Sequence, residues 1–434
     1  MFKPYEDTCT ISDFSTLDTD SLKKRYIALL ELIEKKEPQL RILEEDLRPD
    51  LVFDELNAQV RKFSGRTRPA LFGVPVGVKG VYRTANYHIR CGSLLPKTLF
   101  EGKEADIVSR LKEAGAVVTG ITSTAEFAAL EPPATVNPHN CAHTPGGSSS
   151  GSAAGICAGY FPVSLGTQTI GSVIRPASYC GVYGFKPSQS SLSIEGIIPY
   201  SVSVDQPGFF TSTIGDLRTV LQVLVRDCSP SERVSHKLRV GIIEGEYYEL
   251  FAESTKNWFA SVRSIIEEKE DGINFIPFDP IGNPSVIKSL HQALISHDAA
   301  LYHKDYLGEF GHLYRSQTLS VLRQGLEVST NTVNEAKQSQ HYLRQKIMQQ
   351  MDDNNLDCIM TPASLNSAPL GLSSTGDPAA CIPWTHSGLP SAVIPTPLAL
   401  NGMPQGLQII CRYGDDGYLC DCSQVISSLL LNDS

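Results

Sequence analysis

Residues 144–187, TPGGSSSGSAAGICAGYFPVSLGTQTIGSVIRPASYCGVYGFKP, carry the strongest structural signal in the chain. The first part, 144–159, is rich in serine and glycine, and on composition alone it would suit a flexible linker. It is followed directly by YFPVSL at 160–165, an apolar run that is typical of a buried strand. We therefore interpret the serine- and glycine-rich part as a tight turn that leads into a packed core.

Strand-like and helical segments alternate upstream of this stretch. GVPVGVKGV at 73–81 and AVVTGI at 116–121 are short runs rich in β-branched residues, and ADIVSRLKEAG at 105–115 has a residue pattern typical of a helix. This alternation predicts an α/β fold with its core at 70–215. LRVGII at 238–243 predicts a further buried strand. Late apolar runs bounded by Pro and Gly predict that the C-terminal part pairs back into the same sheet, namely DCIMTPA at 357–363, LPSAVIPTP at 389–397 and GLQIICR at 406–412.

Two helical regions are expected outside this core. Leu and Ile recur at intervals of three and four residues at 19–46, which predicts amphipathic helices interrupted near Pro38, within an N-terminal helical arm over 1–65. A polar helical stretch at 285–351 is expected to cap or flank the sheet. Because no linker divides the chain cleanly, we predict one domain over 1–434.

The composition argues against several classes of function. The 434 residues, 41% of them apolar, suffice for a large core without metals or disulfides. The formal net charge is −10 and no basic stripe occurs, so we expect no nucleic-acid partner. Since neither a signal peptide nor a run of about 18 apolar residues is seen, we expect no membrane association. Eleven cysteines without a C-x-x-C pair indicate reduced thiols and a cytoplasmic location.

Lys79 lies near the end of the valine-rich run at 73–81, where a cation is costly to bury. One explanation is a lysine that snorkels from the strand end into solvent. The other is a neutral lysine whose pKa burial has lowered from about 10.4 to about 7.5, so that it can act as a base. Between Pro132 and Ile194 the sequence contains no Asp or Glu. This favours a lysine base over a Ser-His-Asp relay, because a nearby carboxylate would keep the lysine protonated.

Two serines are candidates for a nucleophile. Ser149 is the centre of a G-x-S-x-G motif typical of the α/β-hydrolase elbow, but no strand-like run precedes it. Ser172, in contrast, follows the 160–165 run closely. Its turn offers successive backbone N–H groups suited to an oxyanion hole, those of Thr169, Ile170, Gly171 and Ser172. The alternative is that Gly171 and Ser172 merely cap the helix that follows.

Together these segments resemble the amidase signature family. Lys79, GGSSSG and GTQTIGSVIRPASYCGVYGFKP match its Ser-Ser-Lys triad, with a separation of 69 positions from Lys79 to Ser148 and 24 from Ser148 to Ser172. The resemblance also includes DCIMTPA and three further segments, VNPHNCAHTP at 136–145, IPWTHSGLP at 382–390 and GMPQGLQII at 402–410. It therefore covers most of the chain, and it implies a single large domain with a central mixed β-sheet flanked by helices.

The resemblance implies roles for three side chains. Ser172 would be the nucleophile that forms an acyl-enzyme, and Ser148, expected with a cis peptide bond, would pass its proton to Lys79. Such a triad needs neither metal nor cofactor. The substrate would be a small molecule with a linear C–N amide bond, and family members are often homodimers. Two alternatives stay open, the amidase subunit of a tRNA-dependent amidotransferase and a binding protein of the same fold without catalysis.

Two departures from the commoner family pattern bear on the substrate. In the pattern T-D-x-G-G-S, Gln168 replaces Asp and Ile170 replaces Gly, which removes a local carboxylate and adds bulk beside the oxyanion hole. Arg175 stands three places after Ser172, as in the malonamidase-like branch of the family. We expect it to clamp a substrate carboxylate with Thr167 nearby, while an arginine that bonds loop carbonyls is the structural alternative.

Overall fold

A mixed β-sheet forms the centre of the molecule. The computed structural model describes residues 9–225, 228, 237–269 and 273–431. Within them the strands are β1 Pro75–Lys79, β2 Val117–Thr122, β3 Val163–Gln168, β4 Tyr183–Lys186, β5 Gln206–Thr211, β6 Arg239–Ile243, β7 Asn274–Phe278, β8 Cys358–Pro362, β9 Ser391–Leu400 and β10 Met403–Ile410. Their order across the sheet is β2-β1-β3-β5-β4-β9-β10-β8-β6-β7. Parallel pairs lie at both edges and antiparallel pairs between them, which confirms the predicted fold class.

Helices flank this sheet. Those formed by the described residues are α1 Ser12–Ser15, α2 Thr19–Leu40, α3 Pro49–Lys62, α4 Asp106–Glu113, α5 Ser150–Cys157, α6 Ile174–Cys180, α7 Ile214–Leu224, α8 Gly245–Tyr248, α9 Glu253–Glu267, α10 Pro284–Phe310, α11 Ser316–Leu326, α12 Thr330–Asp353, α13 Ile382–His386 and α14 Asp416–Leu431. The polar stretch at 285–351 forms α10, α11 and most of α12. The late apolar runs form β8, β9 and β10, so the C-terminal part does return to the sheet. None of the helices in the described part of the chain has the length and apolar character that crossing a bilayer requires.

The N-terminal arm differs from its prediction in one respect. Helix α2 runs through Pro38 to Leu40, and Arg41 closes it in the left-handed conformation with φ 52°. Pro38 lies in the last turn, where its missing N–H removes one hydrogen bond and leaves the earlier turns intact. The expected interruption is therefore present, but it begins at Arg41, three residues after Pro38, and ends where α3 begins at Pro49. Residues 1–8 of the predicted arm lie outside the described residues.

The serine- and glycine-rich stretch is part of the packed core. Its second half forms α5, and every residue of this helix is buried. A Cβ on Gly151 would lie 2.2 Å from the Ile42 carbonyl oxygen, and a Cβ on Gly155 would lie 2.3 Å from the Phe161 ring. Small residues thus allow α5 to fit closely between the N-terminal arm and the chain that enters β3. The linker explanation is excluded.

Strand pairing brings Lys79 and the residues around Gln168 to the same end of neighbouring strands. In the parallel pair of β1 and β3, Val78 lies beside Leu165, so the carboxyl ends of the two strands lie next to each other. Lys79 and Thr167 are therefore neighbours. In the antiparallel pair of β3 and β5, Gln168 lies beside Gln206, which adds the start of β5 to the same edge.

Candidate active site

Lys79 is the last residue of β1 and is fully buried. Its Nζ lies 2.8 Å from both Ser148 Oγ and Thr167 Oγ1, hydroxyls that can either donate or accept, and 3.4 Å from the Thr167 carbonyl oxygen, which only accepts. Burial lowers the pKa of Lys79 to about 7, although the Asp205 carboxylate favours the ammonium form. The side chain does not snorkel into solvent. Burial therefore favours the uncharged amine.

Ser148 and Ser149 use their hydroxyls differently. The Gly147–Ser148 peptide bond is cis, and Ser148 Oγ contacts the Lys79 amine. Ser149 Oγ donates to the Thr167 carbonyl and accepts from the Thr167 N–H, both at 3.3 Å. Ser149 therefore ties its loop to β3. This contact argues against Ser149 as the nucleophile, since the elbow motif requires a hydroxyl that is free to attack.

The side chain of Gln168 shapes the loop between β3 and α6. Its Oε1 accepts from the backbone N–H groups of Val173 and Ile174 at 2.9 and 3.0 Å. Its Nε2 donates to Thr385 Oγ1 at 2.9 Å. The amide thus satisfies two backbone donors at the start of α6, as a carboxylate could, and it adds a donor that an Asp lacks.

Ser172 lies in this loop, just before α6, and is 7% exposed. Across the described residues the backbone N–H groups of Thr169, Ile170, Gly171 and Ser172 have no acceptor, so they are available to a ligand oxygen. Within the same residues the Ser172 hydroxyl neither caps α6 nor bonds to Ser148. The structure therefore joins Lys79 to Ser148 and places Ser172 in the next loop without a direct hydrogen bond. Contacts of this kind often tighten only when substrate binds.

Arg175 has two groups of donors with different surroundings. Its Nη2 donates to the Gly147 carbonyl at 2.8 Å and to Thr375 Oγ1 at 2.9 Å. Its Nε and Nη1 are buried and find no acceptor among the described residues. The first group fits a structural arginine, whereas the second requires an acceptor that these residues do not supply. Thr167, expected near Arg175 as a substrate contact, has its hydroxyl on Lys79.

Sequence reasoning missed Asp205, which places a carboxylate near Lys79. Its Oδ1 accepts from Thr169 Oγ1 at 2.5 Å, and its Oδ2 accepts from the N–H groups of Tyr200 and Ser201 at 2.8 and 3.1 Å. Burial raises the pKa of Asp205 to about 6. The segment from Pro132 to Ile194 contains no acidic residue, but Asp205 lies next to it in the folded chain because β5 pairs antiparallel with β3. The available signal was an Asp directly before a strand-like run.

Two further side chains hold the same loop by its carbonyl groups. His291 Nε2 lies 3.0 Å from the Thr169 carbonyl oxygen, and Thr385 Oγ1 donates to the Ile170 carbonyl at 2.7 Å. No motif in the sequence marks His291 for this position. Among the described residues no group of three or more His, Cys, Asp or Glu side chains is arranged to hold a metal ion.

A family comparison identifies the class of enzyme to which this site belongs. The family model described as Amidase matches residues 50–420, which is most of the chain. The chain belongs to the amidase family. It is accordingly a hydrolase that acts on carbon–nitrogen amide bonds.

Proteins similar to this amidase include subunits of glutamyl-tRNA(Gln) amidotransferases and a peptide amidase. It is 29% identical to a glutamyl-tRNA(Gln) amidotransferase subunit of Roseiflexus castenholzii, over 92% of this chain and 91% of the relative. Its fold is similar to that of the native peptide amidase from Stenotrophomonas maltophilia, with a TM-score of 0.81, 22% identity, and coverage of 98% of this chain and 97% of that chain. A third relative, the corresponding glutamyl-tRNA(Gln) amidotransferase subunit from Thermotoga maritima, has a TM-score of 0.76 and 22% identity over 97% of this chain and 94% of its own.

Proposed function

We propose that this amidase hydrolyses a linear amide bond of a small molecule through a Ser-Ser-Lys triad and an acyl-enzyme. The observation that carries the proposal is the contact between Lys79 Nζ and Ser148 Oγ in a fully buried site. Burial favours the neutral amine, and a neutral amine can accept a proton from a serine hydroxyl. The Thr167 hydroxyl holds the amine toward Ser148.

The triad works as a proton relay. Ser172 attacks the amide carbon while its proton passes to Ser148 and the Ser148 proton passes to Lys79. The N–H groups of the 169–172 loop stabilise the resulting oxyanion, and losing one such donor typically costs about 3 to 4 kcal/mol. The C–N bond then breaks, and the amine leaves with a proton returned from Lys79 through Ser148. Water attacks the acyl-enzyme by the same route, which releases a carboxylic acid and restores the Ser172 hydroxyl.

A panel of small amides tests this assignment. We expect wild type to release ammonia or amine, and we expect Ser172→Ala to lose at least about 10³-fold of that activity, the scale of losing a nucleophile. Ser149→Ala is the matched control, because among the described residues the Ser149 hydroxyl bonds only to backbone groups of Thr167. Equal release by wild type and Ser172→Ala would refute the assignment.

Labelling of Ser172 by a fluorophosphonate separates the enzyme from a silent binding protein of the same fold. A serine activated by a neutral lysine reacts with the phosphorus centre, whereas a serine beside an ammonium does not. We expect wild type to be labelled at Ser172, with no labelling of Ser172→Ala. An unlabelled, folded wild type would favour the binding protein.

We further propose that the acyl part of the substrate carries a carboxylate. Arg175 is 4% exposed, and its buried Nε and Nη1 find no acceptor among the described residues, so a carboxylate oxygen bound at either nitrogen would satisfy a charged donor. Replacing Arg175 by Met should raise KM for a carboxylate-bearing amide by about 10- to 100-fold, as expected for a charged hydrogen bond. An uncharged analogue of the same amide is the control, and an equal rise for both substrates would count against the clamp.

A second candidate is the amidase subunit of a tRNA-dependent amidotransferase. It is supported by the 29% identity to a glutamyl-tRNA(Gln) amidotransferase subunit over 92% of the chain. The acidic net charge and the loop T-Q-T-I-G-S favour the independent amidase. Glutaminase activity together with co-purification of a tRNA-binding partner would reverse this order, while hydrolysis of small amides by the isolated chain would support the first candidate.

A further inference from the structure

A chain of hydrogen bonds runs from the loop that carries Ser172 into the helical layer. His291 on α10 lies with Nε2 at 3.0 Å from the Thr169 carbonyl oxygen and with Nδ1 at 3.2 Å from His386 Nδ1. His386, the last residue of α13, lies with Nε2 at 3.2 Å from the Ser339 hydroxyl on α12. The two rings are buried and meet edge to face, with centroids 5.3 Å apart.

One proton arrangement satisfies every contact in this chain. A carbonyl oxygen only accepts, so His291 must carry its proton on Nε2 and present Nδ1 as an acceptor. His386 must then donate from Nδ1, which leaves its Nε2 to accept from the Ser339 hydroxyl. Both rings are neutral in this arrangement. Burial favours it, because it lowers the pKa of His291 to about 4 and that of His386 to about 3.

The Thr169 carbonyl and the Ile170 N–H belong to one planar peptide unit and point in opposite directions. A donor that fixes the carbonyl therefore fixes the direction of the N–H. Thr385 does the same for the next unit, because its hydroxyl donates to the Ile170 carbonyl and so sets the direction of the Gly171 N–H. The contacts to the two carbonyl groups thus fix the directions of two successive donors of the proposed oxyanion hole, the N–H groups of Ile170 and Gly171.

We propose that His291 is a positioning residue for amide cleavage, acting through the Thr169 carbonyl with His386 and Ser339 behind it. This inference rests on the proposed function, in which the 169–172 loop binds the oxyanion. His291 is not a base for the reaction, since both of its ring nitrogens are engaged away from Lys79 and Ser148. Because α10 and α12 belong to the 285–351 layer, that layer takes part in building the catalytic loop.

The Thr169 position is held from two sides. Asp205 accepts from the Thr169 hydroxyl, while His291 donates to the Thr169 carbonyl. The side chain and the main chain of one residue thus have separate anchors, one from the start of β5 and one from α10. Loss of the His291 contact should free the peptide unit to rotate while the side chain stays in place.

Steady-state kinetics of His291→Phe test the proposal. We expect kcat to fall by about 10- to 100-fold with KM changed less than about threefold, since an oxyanion donor acts mainly in the transition state. His291→Gln, whose amide can still donate to the carbonyl, should recover part of kcat. His303→Phe is the matched control, because His303 lies on the same helix and is equally buried but bonds to Tyr314.

The affinity for a boronic acid inhibitor gives a second readout, since its tetrahedral adduct occupies the oxyanion hole. Binding of the inhibitor should weaken in parallel with kcat in His291→Phe and stay unchanged in the control. If His291→Phe does not fold, His386→Gln tests the same chain from its second member and should give a smaller loss of kcat. Equal losses of kcat in His291→Phe and His303→Phe, or a change in KM alone, would overturn the inference. If the fluorophosphonate does not label Ser172 in wild type, the proposed function itself is refuted.

Discussion

Lys79 and Lys186 are each the last residue of a strand, β1 and β4, and both are fully buried. Burial lowers the pKa of each to about 7. Both belong to the core segment, and both look alike in sequence, as a lysine after an apolar run. The two side chains differ in the atoms that surround the amine.

Lys186 Nζ donates to three oxygens that can only accept. These are Gln206 Oε1 at 2.5 Å, the Leu389 carbonyl at 2.6 Å and the Pro187 carbonyl at 3.1 Å. Three acceptors match the three protons of an ammonium group, so these contacts favour the charged form. Lys79 instead has two hydroxyls as its closest partners, and a hydroxyl can donate to a neutral amine as readily as it accepts from an ammonium. Burial alone therefore does not distinguish the two lysines, and the difference lies in the atoms that surround each amine.

The largest expected difference between the two lysines is in catalysis. Replacing Lys79 by Met should lower kcat/KM by at least about 10³-fold, the range of a lost general base. Replacing Lys186 by Met should leave kcat/KM of the folded enzyme within about threefold of wild type. Parallel kinetics on one amide substrate measure both changes. Similar losses of kcat/KM for the two variants would break the comparison.

Stability should rank the two variants in the opposite order. Lys186→Met leaves three buried carbonyl oxygens without a donor, so we expect the free energy of unfolding to fall by about 2 to 4 kcal/mol. Lys79→Met removes an amine that is costly to bury and leaves hydroxyls that can turn to other acceptors, so a change of about 1 kcal/mol or less is expected. Urea unfolding of both variants measures this difference. A larger loss for Lys79→Met would contradict it.

The smallest predicted effect is a shift in the pH dependence. The folded pKa of Lys79 is about 7, below its ordinary value of 10.5, so kcat/KM should rise with pH through a midpoint near 7 as the amine loses its proton. Asp205→Asn should move this midpoint downward, because the carboxylate favours the ammonium form. Lys186→Met should not move it. A flat profile from about pH 6 to 9, or an upward shift in Asp205→Asn, would contradict Lys79 as the base.

The sheet and the lysine were accessible from sequence because their signals are local. The run that ends at Lys79 marks a buried strand by its β-branched residues, and the late apolar runs mark strands in the same way. The cis peptide bond before Ser148 followed only from the family resemblance and is present in the structure. The strands and the lysine, in contrast, are indicated by short segments whose chemistry does not require knowledge of distant partners.

The side chains that hold the 169–172 loop could not be predicted from the sequence, because each comes from a distant part of the chain. Asp205 comes back through the antiparallel pairing of β5, His291 comes from the helical layer, and Thr385 comes from α13. The sequence around a single polar residue in a helix does not indicate which distant carbonyl group its side chain will contact. The difference between Lys79 and Lys186 was hidden for the same reason, since partners such as Leu389 are set by which strands become neighbours.

The close fit of Gly151 against the Ile42 carbonyl sets a lower limit on the smallest catalytically competent fragment of this chain. A fragment that starts at residue 66 would contain every side chain of the proposed triad, yet one side of α5 would lose its cover and meet water. Shortening the chain from its N-terminus should therefore abolish hydrolysis once Ile42 is removed, long before the cut reaches Lys79. The N-terminal arm is therefore part of the packed core that supports the site.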